Sequence, residues 1–453
     1  MLTKKKVTEL TKEKVFELVE KHNIEFIDVG YMDYASLSRV RTVRANQLES
    51  IFRSGINFYG GMMSFNGFDE KIENPMYGIE AGDFFAIPDP TTFAILPHRK
   101  NTARMYCDLI DENGKPWDGC PRQVLKKVLK EAEDILGGKM HMAFEQEAYL
   151  MKEVDGELVT ADDTHCFSIE GLQMQENFLH EFVEAMEKSG VDIEKISSEY
   201  GPGQYEINLM HKPALRAADE QLIFMQLFKQ IALKHDLIGT LIPKPFDHLS
   251  GSGLHVHISM TDEQGNNVFE NLQDPLGLTE QAYYFIGGMM KHAKSLVAIG
   301  APSINSYKRL YPGSYAPSHV SYGIGNRSVL IRVTEKRRGS RFEFRGADGT
   351  CNPYMLATAL VAAGLDGVKN KIEPGEPVDF DVGTISVEQM EAKNIELVPS
   401  SLEVAMDVLE ANEYLAEVLG PIWREFINVK RSEAKKHSRI VTEWERRLLS
   451  TRF

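Results

Sequence analysis

Apolar residues recur along this chain with two periods, and the changes between them mark its elements. Val15, Phe16, Leu18 and Val19 share one face of a helix predicted over residues 11–22. Strand-like stretches at 24–31 and 35–43 follow, then a short helix over 45–52 closed by Gly55. Residues 56–80 are rich in Gly and Asn and carry Phe58, Tyr59, Met62, Met63 and Phe65, which reads as an exposed loop bearing aromatics. Short strands at 84–87 and 92–96 flank Pro88-Asp89-Pro90, with a further candidate at 107–109. This pattern predicts a small α+β domain over 1–105 and a larger one over 106–453. In the larger part a helix over 122–136 is stopped by Gly137-Gly138. Strands are predicted at 140–152, 194–210, 253–260, 328–334 and 341–346. Helices are predicted at 169–189, 214–236, 279–298, 352–369, 402–419 and 431–449, the last charge-rich and expected to be a solvated terminal helix.

The strand at 251–259 alternates, so His255, His257 and Ser259 point the same way. Neutral imidazole is a common metal ligand, and a second His beside it can reach a phosphate. A polar strand face with hydrogen-bonded histidines is the plain alternative. Glu145 and Glu147 also share a strand face, which is unfavourable unless a cation sits between them. Two solvated glutamates would look the same, but Phe144, Ala148 and Leu150 around them favour a buried sheet. Glu199 and Glu206 are joined through Gly201-Pro202-Gly203. Arg341, Glu343 and Arg345 alternate on one face, as an ion-pair ladder or as a carboxylate grip beside a metal ligand. Glutamates with one histidine suit Mg²⁺ or Mn²⁺ rather than structural zinc. There is no G-x-x-x-x-G-K-[ST], so any nucleotide does not sit on a P-loop.

The formal net charge of −15 argues against general nucleic-acid or membrane-surface binding. It leaves room for an anionic substrate, because residues 327–345 hold seven cations. Cys107, Cys120, Cys166 and Cys351 show no C-x-x-C and no regular spacing, which predicts reduced thiols in a cytoplasmic protein. Residues 1–6 lead into no apolar region, and no apolar run approaches the roughly 18 residues of a membrane span, so neither signal peptide nor span is expected.

Taken in order, the motifs are Pro88-Asp89-Pro90-Thr91-Thr92-Phe93 with Leu96-Pro97, F-E-Q-E at 144–147 and G-P-G-Q-Y-E at 201–206. G-S-G-L-H-V-H at 251–257, N-S-Y-K-R-L at 305–310, G-N-R-S at 325–328, R-F-E-F-R at 341–345 and N-P-Y at 352–354 follow. Their ordered conjunction resembles glutamine synthetases over nearly the whole chain. The resemblance implies a small N-terminal β-grasp domain and a catalytic domain whose curved antiparallel sheet, flanked by helices, carries two or more Mg²⁺ or Mn²⁺ ions. It implies that Glu147, Glu199 and Glu206 hold one metal and Glu145, His255 and Glu343 the other. His257, Ser259, Arg327, Arg332 and Arg338 would line the ATP phosphates, and Glu147, Gly251, Arg309 and Arg345 would bind glutamate. Arg327, Arg309 and Glu199 would be the catalytic groups. The implied partners are L-glutamate, ATP and an amine, with no nucleic acid or membrane. The implied assembly is a homo-oligomer, a dodecamer of two hexameric rings with active sites between subunits. The implied reaction makes a γ-glutamyl phosphate that an amine then attacks.

The chain departs from ammonium-using members at two places. Phe58-Tyr59-Gly60-Gly61-Met62 replaces an acidic F-D-G-S-S-like motif, and Tyr315 stands where a glutamate is expected after Arg309-Leu310-Tyr311-Pro312-Gly313. Ser250 also replaces the usual asparagine before Gly251. The expectation is therefore an organic amine held by Tyr59, Met62 and Tyr315, whose aromatic faces attract alkylammonium ions. If the variable loop is aligned differently, Asp69 or Glu70 could restore an ammonium site. A regulatory paralogue without catalysis and a metal-dependent hydrolase are the remaining alternatives.

Overall fold

Thr11 caps the first helix, α1 (Lys12–Lys21), by accepting the Lys14 N–H at 3.3 Å, which supplies one of the partners that helix N-termini lack. It is followed by β1 (Phe26–Met32), β2 (Ser38–Arg44), α2 (Leu48–Ser54), β3 (Ile56–Tyr59), β4 (Asp83–Pro88), β5 (Ala94–Ile95) and β6 (Thr102–Ile110). This is a computed structural model, and it describes residues 10–334 and 339–453. Among the described residues the first six strands form one sheet in the order β2-β1-β6-β4-β3, with β5 beside β6. β1 runs parallel to β6 and antiparallel to β2. β6 bonds to β1 and β4, so this sheet extends past residue 105.

The larger part continues through α3 (Pro121–Leu136), β7 (Lys139–Val154), β8 (Glu157–Thr160), α4 (Ile169–Met174), α5 (Glu176–Lys188), β9 (Ile193–Ser198) and β10 (Gln204–Leu209). Then come β11 (Lys212–Pro213), α6 (Ala214–Lys234), β12 (Ile238–Thr240), β13 (Leu254–Thr261), α7 (Glu280–Lys291) and α8 (Ala293–Gly300). The chain ends with β14 (Tyr322–Ile324), β15 (Ile331–Val333), β16 (Phe342–Ala347), α9 (Pro353–Asn370), α10 (Val387–Lys393), α11 (Leu402–Glu410), α12 (Glu413–Leu419), α13 (Pro421–His437) and α14 (Glu443–Leu449). The second sheet curls in the order β14-β15-β16-β13-β7-β10-β9, with β8, β11 and β12 added along β7. Its pairings are antiparallel except β14 with β15. The fold is the α+β architecture expected, a small N-terminal domain beside a large curled sheet with helices around it.

Behind this sheet, α9 is enclosed by α3, α6, α7 and α8 and is apolar almost all round. α9 buries every residue from Pro353 to Gly367, as a helix enclosed by neighbours should. It approaches α7 so closely that a Cβ on Gly288 would fall 2.6 Å from the Gly367 nitrogen. Asn352 starts α9 by accepting the N–H groups of Tyr354 and Met355, with Pro353 in the first turn where no N–H is needed.

Arg122, at the start of α3, locks the two parts together. Its side chain is buried and donates to Asp219 of α6 at 2.9 and 3.0 Å and to Asp108 of β6 at 2.8 Å. A guanidinium nitrogen also lies 2.9 Å from Asp89. Burial opposes ionisation of Asp89, but Arg122, Thr91 and Lys126 together outweigh it and hold that carboxyl down at about 2.

Several expected elements differ in detail. The aromatic segment after Gly55 is not an exposed loop. Phe58 and Met63 are buried, and β3 followed by a short 3₁₀ turn over Gly60–Ser64 replaces coil. Phe58 packs edge-on against Tyr31, a tertiary contact that local composition does not encode. The terminal helix is two helices, α13 and α14, and Glu433 within it is buried against the N-terminal domain, accepting from Gly67 N at 2.8 Å. The helices predicted at 169–189, 279–298 and 402–419 are each broken once, near Gln175, His292 and Ala411–Asn412. The strand expected at 328–334 is only Ile331–Val333.

Removing Arg122 leaves the buried Asp219 with the Tyr354 hydroxyl, and Asp89 and Asp108 with the half-exposed Lys126. Arg122→Met is expected to destabilise the chain by about 3–5 kcal/mol, read as an earlier urea unfolding midpoint. Arg122→Lys should recover only part, because a point charge cannot reproduce the fork. An unchanged midpoint in Arg122→Met would contradict this role.

Candidate functional site

Strand register assembles the site. His255 on β13 lies opposite Glu145 on β7, and Glu206 on β10 lies opposite Glu147. Glu343 on β16 lies opposite His257 on one side and Arg332 of β15 on the other. Residues directly opposite each other share a sheet face, so these seven side chains converge on one side of the curled sheet.

Two donor groups result. Glu145, His255 and Glu343 place ligand atoms within 4.8 Å of one another, and so do Glu147, Glu206 and His255. His255 is common to both. Its Nδ1 lies 3.7 Å from Glu145 and 3.5 Å from Glu343, and its Nε2 lies 3.7 Å from Glu147. These separations exceed hydrogen-bond length. His255 Nδ1 is buried with no hydrogen-bond partner, a costly state that a bound cation would relieve. Oxygen donors with one imidazole are the chemistry of Mg²⁺ or Mn²⁺, so the residues present fit a divalent ion.

The two groups differ in charge balance. Burial opposes ionisation of Glu343, but Arg345, His255, His257 and Arg332 outweigh it and hold the carboxyl at about 2. Arg345 donates to it at 2.5 Å, and the Arg332 Nε lies 3.0 Å away. Burial likewise opposes the charge on Glu145, yet His255 and His257 keep its carboxyl well below the usual range. On the other side cations are scarce. Burial, then Glu147 and Glu206, push Glu199 up to about 7. Burial and then Glu145 also raise Glu206, whose nearest Lys195 ammonium is 3.4 Å away. Glu199 itself sits just past the end of β9 and is electrostatically coupled to Glu147 and Glu206, although the compact second group contains His255 in its place.

The other predicted residues surround this core. Arg309 is buried and donates weakly to the carbonyls of Ala347 and Arg345, at 3.3 and 3.4 Å. Gly251 makes room for it: a Cβ there would lie 2.8 Å from the Arg309 Cγ. Glu147 accepts the Gly253 N–H at 2.7 Å, which ties β7 to the Gly251–Gly253 loop. His257 Nε2 is 2.9 Å from Glu145, and its Nδ1 accepts from Arg341 at 3.3 Å. Ser259 is half-buried further along β13, and Arg327 is exposed in the loop between β14 and β15, where its charge is felt by Glu199. Arg338 lies outside the described residues.

The three proposed amine-pocket residues are not all brought together. Tyr315 stacks on Tyr200, with ring centroids 5.1 Å apart. Tyr59 instead donates its hydroxyl to Gly78 O at 3.0 Å within the N-terminal domain, and Met62 sits in the adjoining turn. No ring contact links Tyr59 to Tyr315 among the described residues. Asp69 and Glu70 are already paired, with Arg39 and Lys436 respectively. Sequence reasoning missed Tyr200, which lies between Glu199 and Gly201, and Asp348, a buried carboxyl that lies in the field of Arg309 and is bonded by Thr350. The run R-F-E-F-R-G-A-D was the only signal for Asp348.

Comparisons with known proteins agree with this geometry. The family model described as glutamine synthetase, catalytic domain, matches residues 118–449, and that of the glutamine synthetase N-terminal domain matches 11–117. The chain is 36% identical over 431 residues to the glutamine synthetase of Halobacterium salinarum, covering 93% of this chain and 92% of that one. It is 37% identical over 436 residues to that of Pyrococcus horikoshii, covering 93% and 95%. The solved GmaS/ADP complex superposes with a TM-score of 0.85 at 32% identity, covering 95% of this chain and 98% of that one.

Because His255 belongs to both donor groups, His255→Ala is expected to weaken two Mn²⁺ ions and Glu343→Gln one. Each loss should be at least the roughly 10-fold that removal of an outer-shell partner costs. Electron paramagnetic resonance during Mn²⁺ titration counts the ions. Equal effects of the two substitutions on both ions would contradict the shared-ligand geometry.

Proposed function

Since the chain belongs to the glutamine synthetase family and is a ligase that forms a carbon–nitrogen bond, we propose that it joins an organic amine, not ammonium, to the γ-carboxylate of L-glutamate. ATP drives the reaction through γ-glutamyl phosphate. The observation that carries the amine assignment is Tyr315, an exposed aromatic standing where ammonium-using members place a glutamate.

Arg309 and Arg345 grip the glutamate α-carboxylate, with Glu147 and Gly251 at its amino end. Arg309 suits this task because its guanidinium is buried without a carboxylate partner within ion-pair range among the described residues. His257, Ser259, Arg327 and Arg332 line the phosphate path, together with Arg338. Glu145, His255 and Glu343 hold one divalent ion, and Glu147, Glu199 and Glu206 a second, beside which the His255 Nε2 also lies. When bound there, such ions neutralise the charge of the transferred phosphoryl group. The γ-carboxylate oxygen attacks the γ-phosphorus and ADP leaves. Arg327 and Arg309 offset the charge of the reacting groups, and a water-poor pocket protects the acyl phosphate. The neutral amine then attacks the acyl carbon and phosphate departs, with the Glu199 carboxylate placed to take the proton the amine loses.

Tyr59 and Met62 lie on a different domain from Tyr315, which suits an assembly in which one subunit's N-terminal loop completes a neighbour's site. We place that assembly as a dodecamer of two hexameric rings. Among the described residues no helix is long and apolar enough to cross a membrane, and the four cysteines are free, in keeping with work in the cytoplasm. The competing reading is ammonium-dependent glutamine synthesis, favoured by the names of the curated relatives.

Phosphate release from ATP with Mg²⁺ and L-glutamate, measured against ammonium, methylamine, ethanolamine, putrescine, spermidine and hydroxylamine, separates the two. Turnover with an organic amine and little with ammonium is expected. Efficient turnover with ammonium would overturn the proposal. Tyr315→Glu should raise ammonium use and lower organic-amine use.

A further inference from the structure

The Glu199 turn carries aromatic surface that the fold does not use. Tyr200 follows Glu199 directly, and its ring lies within 11° of parallel to that of Tyr315. The two come from the β9–β10 turn and from the loop after Pro312-Gly313, far apart in sequence. Tyr200 is 58% and Tyr315 79% exposed, so neither ring belongs to the core. On the other side of Glu199, Phe167 is 72% exposed and has φ +54°. A bulky residue in left-handed backbone is strained, and such strain gathers at functional segments. The Phe167 N–H donates to Ser198 O at 3.0 Å, which ties it to the residue before Glu199. Exposed aromatics therefore flank Glu199 on both sides.

We propose that Tyr200 is a specificity residue of the amine site, and that the Tyr200–Tyr315 stack selects primary amines with an apolar body of several carbons over methylamine and over diamines. This rests on the glutamate–amine ligase reading and narrows its substrate class. A parallel pair holds its two rings as one preorganised surface, so an amine laid against it loses water without ordering the loops. Each methylene covered on such a surface gains up to about fourfold in affinity. A second ammonium at an exposed ring face gains only about two- to fivefold and must shed its own hydration. Methylammonium is too short to cover the stack. The contact acts through the amine's apolar body, so the tyrosine hydroxyl is dispensable and the aromatic ring is not.

The test is kcat/KM for methylamine, n-propylamine, n-butylamine and putrescine in the wild-type enzyme, Tyr200→Ala and Tyr200→Phe. Ratios between amines within one variant cancel any loss of folded enzyme. The wild type should favour n-butylamine over methylamine by at least about tenfold, from three added methylenes at partial coverage, and over putrescine. Tyr200→Ala should collapse the butylamine-to-methylamine ratio towards one through a higher amine KM, and Tyr200→Phe should preserve it. A ratio unchanged in Tyr200→Ala, or a wild-type preference for putrescine, overturns the inference while leaving an organic-amine ligase standing. A wild type that turns over ammonium alone overturns both. If Tyr200→Ala instead shrinks the assembly by light scattering and weakens all amines equally, the stack is a subunit contact and the inference falls.

Discussion

Repulsion among carboxylates on neighbouring strands governs this molecule. Glu145 and Glu147 are two residues apart on β7, Glu206 lies opposite Glu147, and Glu199 stands at the same end of the sheet. Like charges a few ångströms apart near a protein surface repel by on the order of 4 kcal/mol per pair. The fold answers on one side only. Around Glu343 it supplies Arg332, Arg345, His255 and His257, while Glu147, Glu199 and Glu206 share Lys195 at 3.4 Å from Glu206, one edge of His255 and an exposed arginine. A sheet that spent stability on packing alone would not keep such a cluster. Its imbalance is the state that a bound divalent cation would relieve.

The remaining structure holds that cluster in register. β13 lies between β16 and β7, and a slip of one residue would turn His255 and His257 to the opposite face. Buried α6 packs on β7 with α9 behind it, and Arg122 joins α6 to the N-terminal domain through Asp219, Asp89 and Asp108. That domain bears the loop with Tyr59 and Met62.

Alternation made the faces of β7, β13 and β16 legible in the sequence, because side-chain direction along a strand has a fixed period of two. It could not say which strand neighbours which. The sharing of His255 between two donor groups follows from the pairing of β13 with β7 and of β7 with β10, and no local pattern encodes that. Helix ends were less legible than helices. The periodicity over 279–298 continues across His292, yet the helix breaks there, where the buried His292 ring lies 2.8 Å from Asp366. Phe58 and Met63 were misplaced on the surface for a related reason: a Gly-rich stretch looks like loop until the core it covers is known. The Tyr200–Tyr315 stack joins two loops about a hundred residues apart, beyond any reading of local composition.

The central claim is that this sheet activates the glutamate γ-carboxylate by phosphoryl transfer before the amine attacks. The direct measurement uses L-glutamate carrying ¹⁸O in the γ-carboxylate, with ATP, Mg²⁺ and a primary amine, followed by mass spectrometry of the released phosphate. Acyl phosphate formation predicts one ¹⁸O in each phosphate, formed in step with the γ-glutamyl amide. Phosphate without label, released while ATP is consumed, would show that the bond broken is not the one this account requires.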